Sequence, residues 1–367
     1  MPFFDKQILP QIANIKPYVP GKPISELQRE LNLSRISKLA SNENPLGCSP
    51  KVKTSIQGLL ADISRYPDGS AFELKKALAT HLKIKNTQIS IGNGSNELLE
   101  LIARVFAAKG DEIIFSQYAF AVYPISAQVV GATSVCVPAI NWGHDLLSMV
   151  KSVTEKTKII YIANPNNPTG TLISKADWET FISKVPKHVM VVLDEAYFEY
   201  VAKDASINGL DYLDEYPNLI VSRTFSKAYG LASLRVGYLA ACEEIIGYIE
   251  KIRTPFNVSQ FAQVSAISAL EDIHFVKEVV QLNNQGMEQL TEFFKEKSLP
   301  FIPSFGNFVC VNVGENAKEI NQQLLEFGVI VRPVNNYGMD NYLRVSIGTK
   351  TENSHFIEAM NKIMSSN

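Results

Sequence analysis

The sequence predicts an α/β protein: a three-layer αβα large domain around a mostly parallel seven-stranded sheet, followed by a smaller α+β domain. Three observations predict this. Short apolar runs alternate with helical stretches from residue 88 to residue 241. Beyond residue 256 that alternation stops, and two helices lead into three strands interleaved with two more helices. The polar motifs sit beside strands, at the edge where open α/β sheets bind ligands.

Residues 1–37 are expected to form an arm and a helix that pack on the small domain or on a partner. Prolines punctuate this stretch, and Ile15–Pro23 cannot be regular helix or a central strand. Ser25–Leu33 reads as a helix with Ser25 as N-cap. The large domain is expected over 38–255. In it Ser41-Asn-Glu-Asn-Pro-Leu-Gly47 is a polar turn before a helix near Lys51–Leu60, and Arg65-Tyr-Pro-Asp-Gly69 is a turn before Ser70–Leu82.

The strand Gln88–Ile91 runs into Gly92-Asn-Gly-Ser-Asn-Glu97 and a helix over Ser95–Ala107. A strand, a glycine turn and a helix N-terminus together make an anion site, because free backbone N–H groups point outward. Such turns are also common without any ligand. Further strands are expected at Glu112–Phe115, Ser134–Val137, Ile159–Ala163, Val189–Leu193, Leu219–Val221 and Val236–Ala241. Helices are expected at Ala119–Val130, Lys175–Lys184 and Gly209–Glu215. The small domain, 256–367, carries the helices Ser259–Ala269, Ile273–Lys297, Ala317–Phe327 and Ser354–Ser365. Its strands are Phe308–Val313, Val329–Arg332 and Tyr342–Ile347.

Bulk properties exclude several classes. A chain of 367 residues, 46% apolar and 20% charged, can bury a sizeable core. A net charge of -2 without a basic stripe argues against a nucleic-acid binder. Cys48, Cys136, Cys242 and Cys310 are scattered, so they read as buried thiols in a reducing compartment, not as a disulfide set or metal site. No apolar run is long enough to span a membrane. The start, Met-Pro-Phe-Phe-Asp-Lys, lacks a secretory pattern, which makes the cytoplasm the expected location. No Gly-x-Gly-x-x-Gly follows a strand, against a dinucleotide-binding dehydrogenase.

The chemistry centres on Val221–Arg235, Val-Ser-Arg-Thr-Phe-Ser-Lys-Ala-Tyr-Gly-Leu-Ala-Ser-Leu-Arg. Lys227 beside the hydroxyls of Thr224 and Ser226, with Arg235 beyond, suits Schiff-base capture of an aldehyde cofactor whose phosphate the hydroxyls and arginine hold. A lone Ser-Lys would be an ordinary surface lysine; two other stretches add the remaining contacts. In Asn164-Pro-Asn-Asn-Pro-Thr-Gly170, two X-Pro bonds keep Asn164 and Asn167 out of helix, so a side-chain amide is placed for a ring oxygen. A plain Pro/Asn turn is the other reading. Asp194-Glu-Ala-Tyr197 ends an apolar strand, where a desolvated carboxylate needs a cation such as a pyridinium nitrogen. A helix N-cap is the alternative. In Tyr118-Ala-Phe-Ala-Val-Tyr123, Phe120 offers a flat face for a ring, or simply packs in the core.

These strings, with Pro17-Tyr-Val-Pro-Gly-Lys-Pro23, Ser41–Pro45 and Arg65-Tyr-Pro67, resemble the class II pyridoxal-phosphate-dependent aminotransferases of the aspartate aminotransferase fold (fold type I) over nearly the whole chain. Within them the resemblance is to the histidinol-phosphate aminotransferases. It implies that Lys227 forms the internal aldimine and later shuttles a proton, while Asp194 pairs with the pyridine nitrogen. It implies Asn167 and Tyr197 at the ring oxygen, and Gly94, Ser95, Asn96, Thr224, Ser226 and Arg235 around the cofactor phosphate. Asn96 stands where the family often has Asp, which leaves its backbone N–H in place. Phe120 stacks on the ring where many relatives have tyrosine. Tyr66 would reach the phosphate of a neighbouring subunit's cofactor, which makes a homodimer expected.

The resemblance also puts an α-carboxylate grip at Arg344. A phosphate ester suits two arginines better than one, so Arg332 joins it, with Tyr18 and Asn44 as further substrate contacts. The implied activity is transamination of histidinol phosphate with 2-oxoglutarate, giving imidazole-acetol phosphate and glutamate in histidine biosynthesis. An aromatic amino-acid aminotransferase and a threonine-phosphate decarboxylase are the alternatives on this scaffold. A regulator on the same fold would carry an added DNA-binding segment, and none is apparent.

Overall fold

The computed structural model describes residues 4, 7–13, 15, 17 and 21–366. Strand β1 (Ser37–Lys38) comes first. Seven strands follow: β2 (Ile89–Gly92), β3 (Glu112–Ser116), β4 (Thr133–Val137), β5 (Thr157–Ala163), β6 (Met190–Asp194), β7 (Leu219–Thr224) and β8 (Gly237–Ala241). They form one sheet in the order β2-β8-β7-β6-β5-β3-β4. Only β8 runs against its neighbours β2 and β7; the remaining pairs are parallel.

Helices cover both faces, as a parallel sheet requires. Alternation along β5 shows the division. Ile159, Tyr161 and Ala163 pack with the helices Ser95–Phe106 and Val122–Val129, while Ile160 and Ile162 pack with Trp178 and Phe181 of Lys175–Ile182. The helices Pro50–Gln57, Phe72–Leu82 and Gln260–Leu270 cover β2 from outside. Helix starts carry local signals: Ser174, Ser259 and Asp272 each accept from a backbone N–H in the first turn.

The remaining strands are β9 (Phe301–Ile302), β10 (Phe308–Asn312), β11 (Val329–Ile330), β12 (Arg332–Pro333) and β13 (Tyr342–Ser346). The order β12-β13-β10-β9 makes an antiparallel sheet. Its core joins Val309, Val311, Leu343 and Val345 to Phe293 and Phe294 of the helix Ile273–Glu296. Strand β1 pairs in parallel with β11, and Leu39 is buried in this same core. Among the described residues no helix is long and apolar enough to cross a membrane.

Four local expectations change. Ser25 is not an N-cap: the helix starts at Ile24 after Pro23, whose φ of -68° suits that position and whose missing N–H costs nothing there. Gly209–Glu215 is a short 3₁₀ turn, Gly209–Tyr212, with the Gly209 N–H taken by the Glu195 carboxylate. Val329–Arg332 is not one strand; it divides at Val331, because β11 pairs with β1 and β12 with β13. Of the four cysteines only Cys310 is buried; Cys48 and Cys242 are half-buried and Cys136 is exposed, since it lies on β4 at the sheet's edge, and all four are free.

Candidate active site

Parallel strands end at a common edge, and the motifs gather there. Asn164 follows β5, Asp194 ends β6, Ser226 and Lys227 follow β7, and Gly94 follows β2. Arg235 precedes its strand rather than following it. It reaches the same edge because β8 is antiparallel and enters where its neighbours leave. A cavity of about 350 Å³ opens there. Ser95, Asn96, Phe120, Asn167, Asp194, Tyr197, Thr224, Ser226, Lys227, Arg235, Arg332 and Arg344 all line it.

Asp194 lies on the cavity floor and is only 4% exposed. Tyr123 donates to its Oδ2 at 2.8 Å, and Tyr123 is itself fixed by stacking on Tyr161. Its Oδ1 is buried and accepts no hydrogen bond of ordinary geometry, although the Ser222 hydroxyl lies near the carboxyl. Burial pushes the Asp194 carboxyl up to about 6, against the Tyr123 and Ser222 hydroxyls, which lower it. A buried carboxylate that lines a cavity and has an oxygen without a hydrogen bond suits a cationic donor.

Lys227 is the amine of the site. Its Nζ donates to the Ser41 carbonyl at 3.3 Å and lies 5.6 Å from the Tyr197 ring centroid. Burial first, and the nearby Arg344 cation second, lower it to about 8. A neutral amine is therefore accessible near neutral pH. Tyr197 is buried, and its hydroxyl accepts from Asn42 Nδ2 at 2.9 Å. Burial pushes that phenol up to about 12, so it stays a proton donor.

The other end of the cavity is an anion cradle. The helix Ser95–Phe106 begins without any side-chain cap, so its first N–H groups face the cavity. Gly94, at φ +80°, lies so close to the Arg235 guanidinium that a Cβ there would collide with it. Arg235 Nη1 donates to Ser226 Oγ at 3.2 Å, and Ser226 N donates to Thr224 Oγ1 at 3.1 Å. Arg235 itself holds a left-handed backbone, φ 53°, which is strained for a long side chain and aims the guanidinium at the helix start.

Arg332 and Arg344 are direct cross-strand partners in β12 and β13. Like charges directly opposite each other repel, so an anion between them would be stabilising. Arg344 donates from Nη1 to Asn167 Oδ1 at 2.6 Å and from Nη2 to the Ala40 carbonyl at 2.8 Å.

Asn44 and Tyr66 do not line this cavity, as the Tyr66 reading, which assigned it to a neighbouring subunit, expects. The Asn44 amide donates to the Ala228 carbonyl and its oxygen accepts from Leu46 N. Tyr66 is 83% exposed and stacks on Phe256 at 4.8 Å. Tyr18 lies outside the described residues, although Gly21, a little further along, lines the cavity. Asn164, left open beside Asn167, accepts from Ile173 N and supports its own loop.

Reading the chain alone missed Tyr123, Asn42 and Tyr337. Tyr123 was legible as a buried helix tyrosine three residues after Phe120. Asn42 lies inside the Ser41–Pro45 string without standing out in it, and nothing local marks Tyr337; long-range packing brings both to the cavity.

Comparison with known proteins follows this geometry. The family model "Aminotransferase class I and II" matches residues 34–360. A protein of Hydrogenovibrio crunogenus named histidinol-phosphate aminotransferase 2 is 62% identical over 99% of this chain and 98% of its own. One of Idiomarina loihiensis, named histidinol-phosphate aminotransferase 1, is 51% identical over 96% of each. The crystal structure of histidinol-phosphate aminotransferase from Sinorhizobium meliloti, in complex with pyridoxal-5'-phosphate, superposes with a TM-score of 0.91 at 29% identity, over 98% of both chains. With a match that spans most of its length, this chain belongs to the class I and II aminotransferases.

Proposed function

We propose that the chain is a pyridoxal-phosphate-dependent transaminase that moves the amino group of histidinol phosphate to 2-oxoglutarate, yielding imidazole-acetol phosphate and glutamate. The observation that carries the cofactor is the buried Asp194, with an Oδ1 that has no hydrogen bond, in one cavity with the Lys227 amine and the Arg235 cradle. The substrate rests on the Arg332–Arg344 pair and on relatives named for it.

The residues fit the cofactor. Ser95, Asn96, Thr224, Ser226 and Arg235 would hold its phosphate, with Gly94 leaving room for the guanidinium. Phe120 would cover one ring face, and Asn167 and Tyr197 would hold the ring oxygen. When bound, pyridoxal phosphate supplies an aldehyde that takes up an amine and a cationic ring that withdraws electrons from the substrate carbon. Asp194 would pair with the ring nitrogen, with Tyr123 fixing its Oδ2. Lys227 Nζ would carry a proton between the substrate carbon and the cofactor's aldehyde carbon, which an amine lowered to about 8 can do near neutral pH. Arg332 and Arg344 bind the phosphate of one substrate and the carboxylates of the other.

A homodimer belongs to the same reading. Leu60, Ile63, Tyr66, Phe72 and Phe256 are exposed apolar side chains, and Tyr66 and Phe256 stack in the open. A second subunit covering them would bring Tyr66 to its partner's cradle. The reading places the enzyme in the cytoplasm, with the amino-acid pools it uses.

The test is a substrate panel. The kcat/KM for histidinol phosphate should exceed that for phenylalanine and tyrosine, and threonine phosphate should release no carbon dioxide. Preference for phenylalanine or tyrosine would replace this reading with the aromatic one, and carbon dioxide release with the decarboxylase one.

A further inference from the structure

Residues 140–143 form a tight reversal. Gly143 N donates to the Ile140 carbonyl at 2.8 Å, and Ile140 N to the Gly143 carbonyl at 3.2 Å. Asn141 and Trp142 are its central residues, at φ 48° and 65°. Two positive φ values mark the turn family in which Asn-Gly is the favoured pair. Here the glycine comes one residue late, and a tryptophan occupies a backbone region that disfavours bulky side chains. Strain of this kind clusters at positions that serve a site.

The indole bridges two parts of the molecule. Its ring centroid is 5.1 Å from Tyr342 in an edge contact and 5.2 Å from Tyr118. Tyr342 precedes Arg344 by two residues on β13, so both project from one face. On that face Arg344 meets Asn167 Oδ1, and Cys310 on β10 reaches the Pro168 carbonyl. Tyr118 lies two residues before Phe120, and its carbonyl accepts from Asn166 Nδ2 at 2.9 Å. The turn is tied to the same loop: Thr171 Oγ1 donates to the Trp142 carbonyl, and His144 Nε2 donates to the Ala163 carbonyl at 2.8 Å. Trp142 thus stands between the strand that carries Arg344 and the loops that carry Asn167 and Phe120.

We infer that Trp142 is a positioning residue for the dianion site: its wedged indole sets the spacing of β13 from the large sheet, and so the aim of the Arg332–Arg344 pair. The inference rests on the reading of that pair as the substrate-anion site.

The test compares Trp142→Gly, which places the favoured pair at the turn, with Trp142→Phe, which keeps a ring. In the cofactor-saturated enzyme, calorimetric affinity for 2-oxoglutarate should fall about tenfold in Trp142→Gly, the scale of lost aromatic pairs. KM should rise alike while kcat stays within about twofold, because ground and transition states lose the same contact. Trp142→Phe should stay near wild type in all three. The thermal midpoint of Trp142→Gly should fall with the lost ring contacts, partly offset by relief of the strained turn, and Trp142→Phe should restore it. The chain has two tryptophans, and a 2-oxoglutarate-induced emission change should disappear in Trp142→Phe. Unchanged affinity in Trp142→Gly would overturn the inference, as would a lowered midpoint that Trp142→Phe does not restore. A wild-type enzyme that binds 2-oxoglutarate but does not transaminate would sink the proposed function instead, with the affinity comparison still deciding the role of Trp142.

Discussion

Asp194 and Glu195 are consecutive residues, both buried carboxylates at the end of β6, and they face opposite sides of the sheet. Glu195 is fully engaged. Arg223 Nε and Nη2 donate to its Oε2 at 2.8 and 2.7 Å, and Gly209 N donates to its Oε1 at 2.9 Å. The Arg223 guanidinium also lies 3.7 Å from the Phe198 ring centroid and donates to Asn208. Asp194, which lines the cavity, has hydroxyls as its neighbours, Tyr123 and Ser222, and an Oδ1 without a hydrogen bond. Burial raises both carboxyls, but only Glu195 has a cation held against it by a two-toothed contact. The difference separates a carboxylate held by a cation from one left without a cation beside the cavity.

The largest expected effect breaks the cavity side outright. Lys227→Ala should lose more than the ~10²–10⁴-fold that a positioned proton carrier contributes, read as kcat/KM for histidinol phosphate. Near-normal turnover would remove the amine from the chemistry.

Asp194→Asn should lose activity by about 10²-fold or more, the scale of a lost preorganised charge contact. Its apoprotein should behave in the opposite sense. A carboxyl raised from 3.8 to about 6 binds more protons folded than unfolded, so its contribution is full below about 4 and is lost as pH rises through 6. Removing the charge should therefore raise apoprotein stability above pH 6, by up to about 3 kcal/mol. Denaturant titration at pH 5 and 8 checks the sign.

Glu195→Gln should show the reverse pattern. It strands the buried Arg223 and should destabilise the fold by about 3–5 kcal/mol, while the folded fraction keeps most of its kcat. If the two variants gave the same split between stability and turnover, the contrast between the neighbours would be wrong.

The smallest effect is a shift in pH dependence. Only the neutral Lys227 amine captures an aldehyde, so cofactor uptake by apoprotein should rise with pH and level off above about 8. Arg344→Gln removes a cation that lowers the lysine, so the plateau should move to higher pH. Stopped-flow absorbance across pH 6–10 reads it, and an unmoved profile would exclude Arg344 as a cause.

Much of the site was legible because it is written at strand ends. Lys227, Asp194 and the Asn164–Gly170 loop each follow an apolar run, and parallel topology sends such ends to one edge. Asn44 shows the limit of that logic. It sits in a motif that reads as part of the site, yet its amide is taken up by the Ala228 carbonyl, a contact no local pattern encodes. Arg332 shows another. One apolar run, Val329–Arg332, serves two different sheets, and period-two alternation cannot say where a strand changes partner.

By itself the sequence determined the α/β alternation, the change of pattern beyond residue 256, and the polar residues that could hold a phosphorylated aldehyde. These are local properties, set by side-chain periodicity and turn chemistry. Only the tertiary structure decided which of two adjacent buried acids is left with an oxygen without a hydrogen bond, that Arg235 joins the site through a reversed strand, and that Trp142 lies against Tyr342. Each depends on partners far along the chain, and a group's charge and direction are fixed by what packs around it.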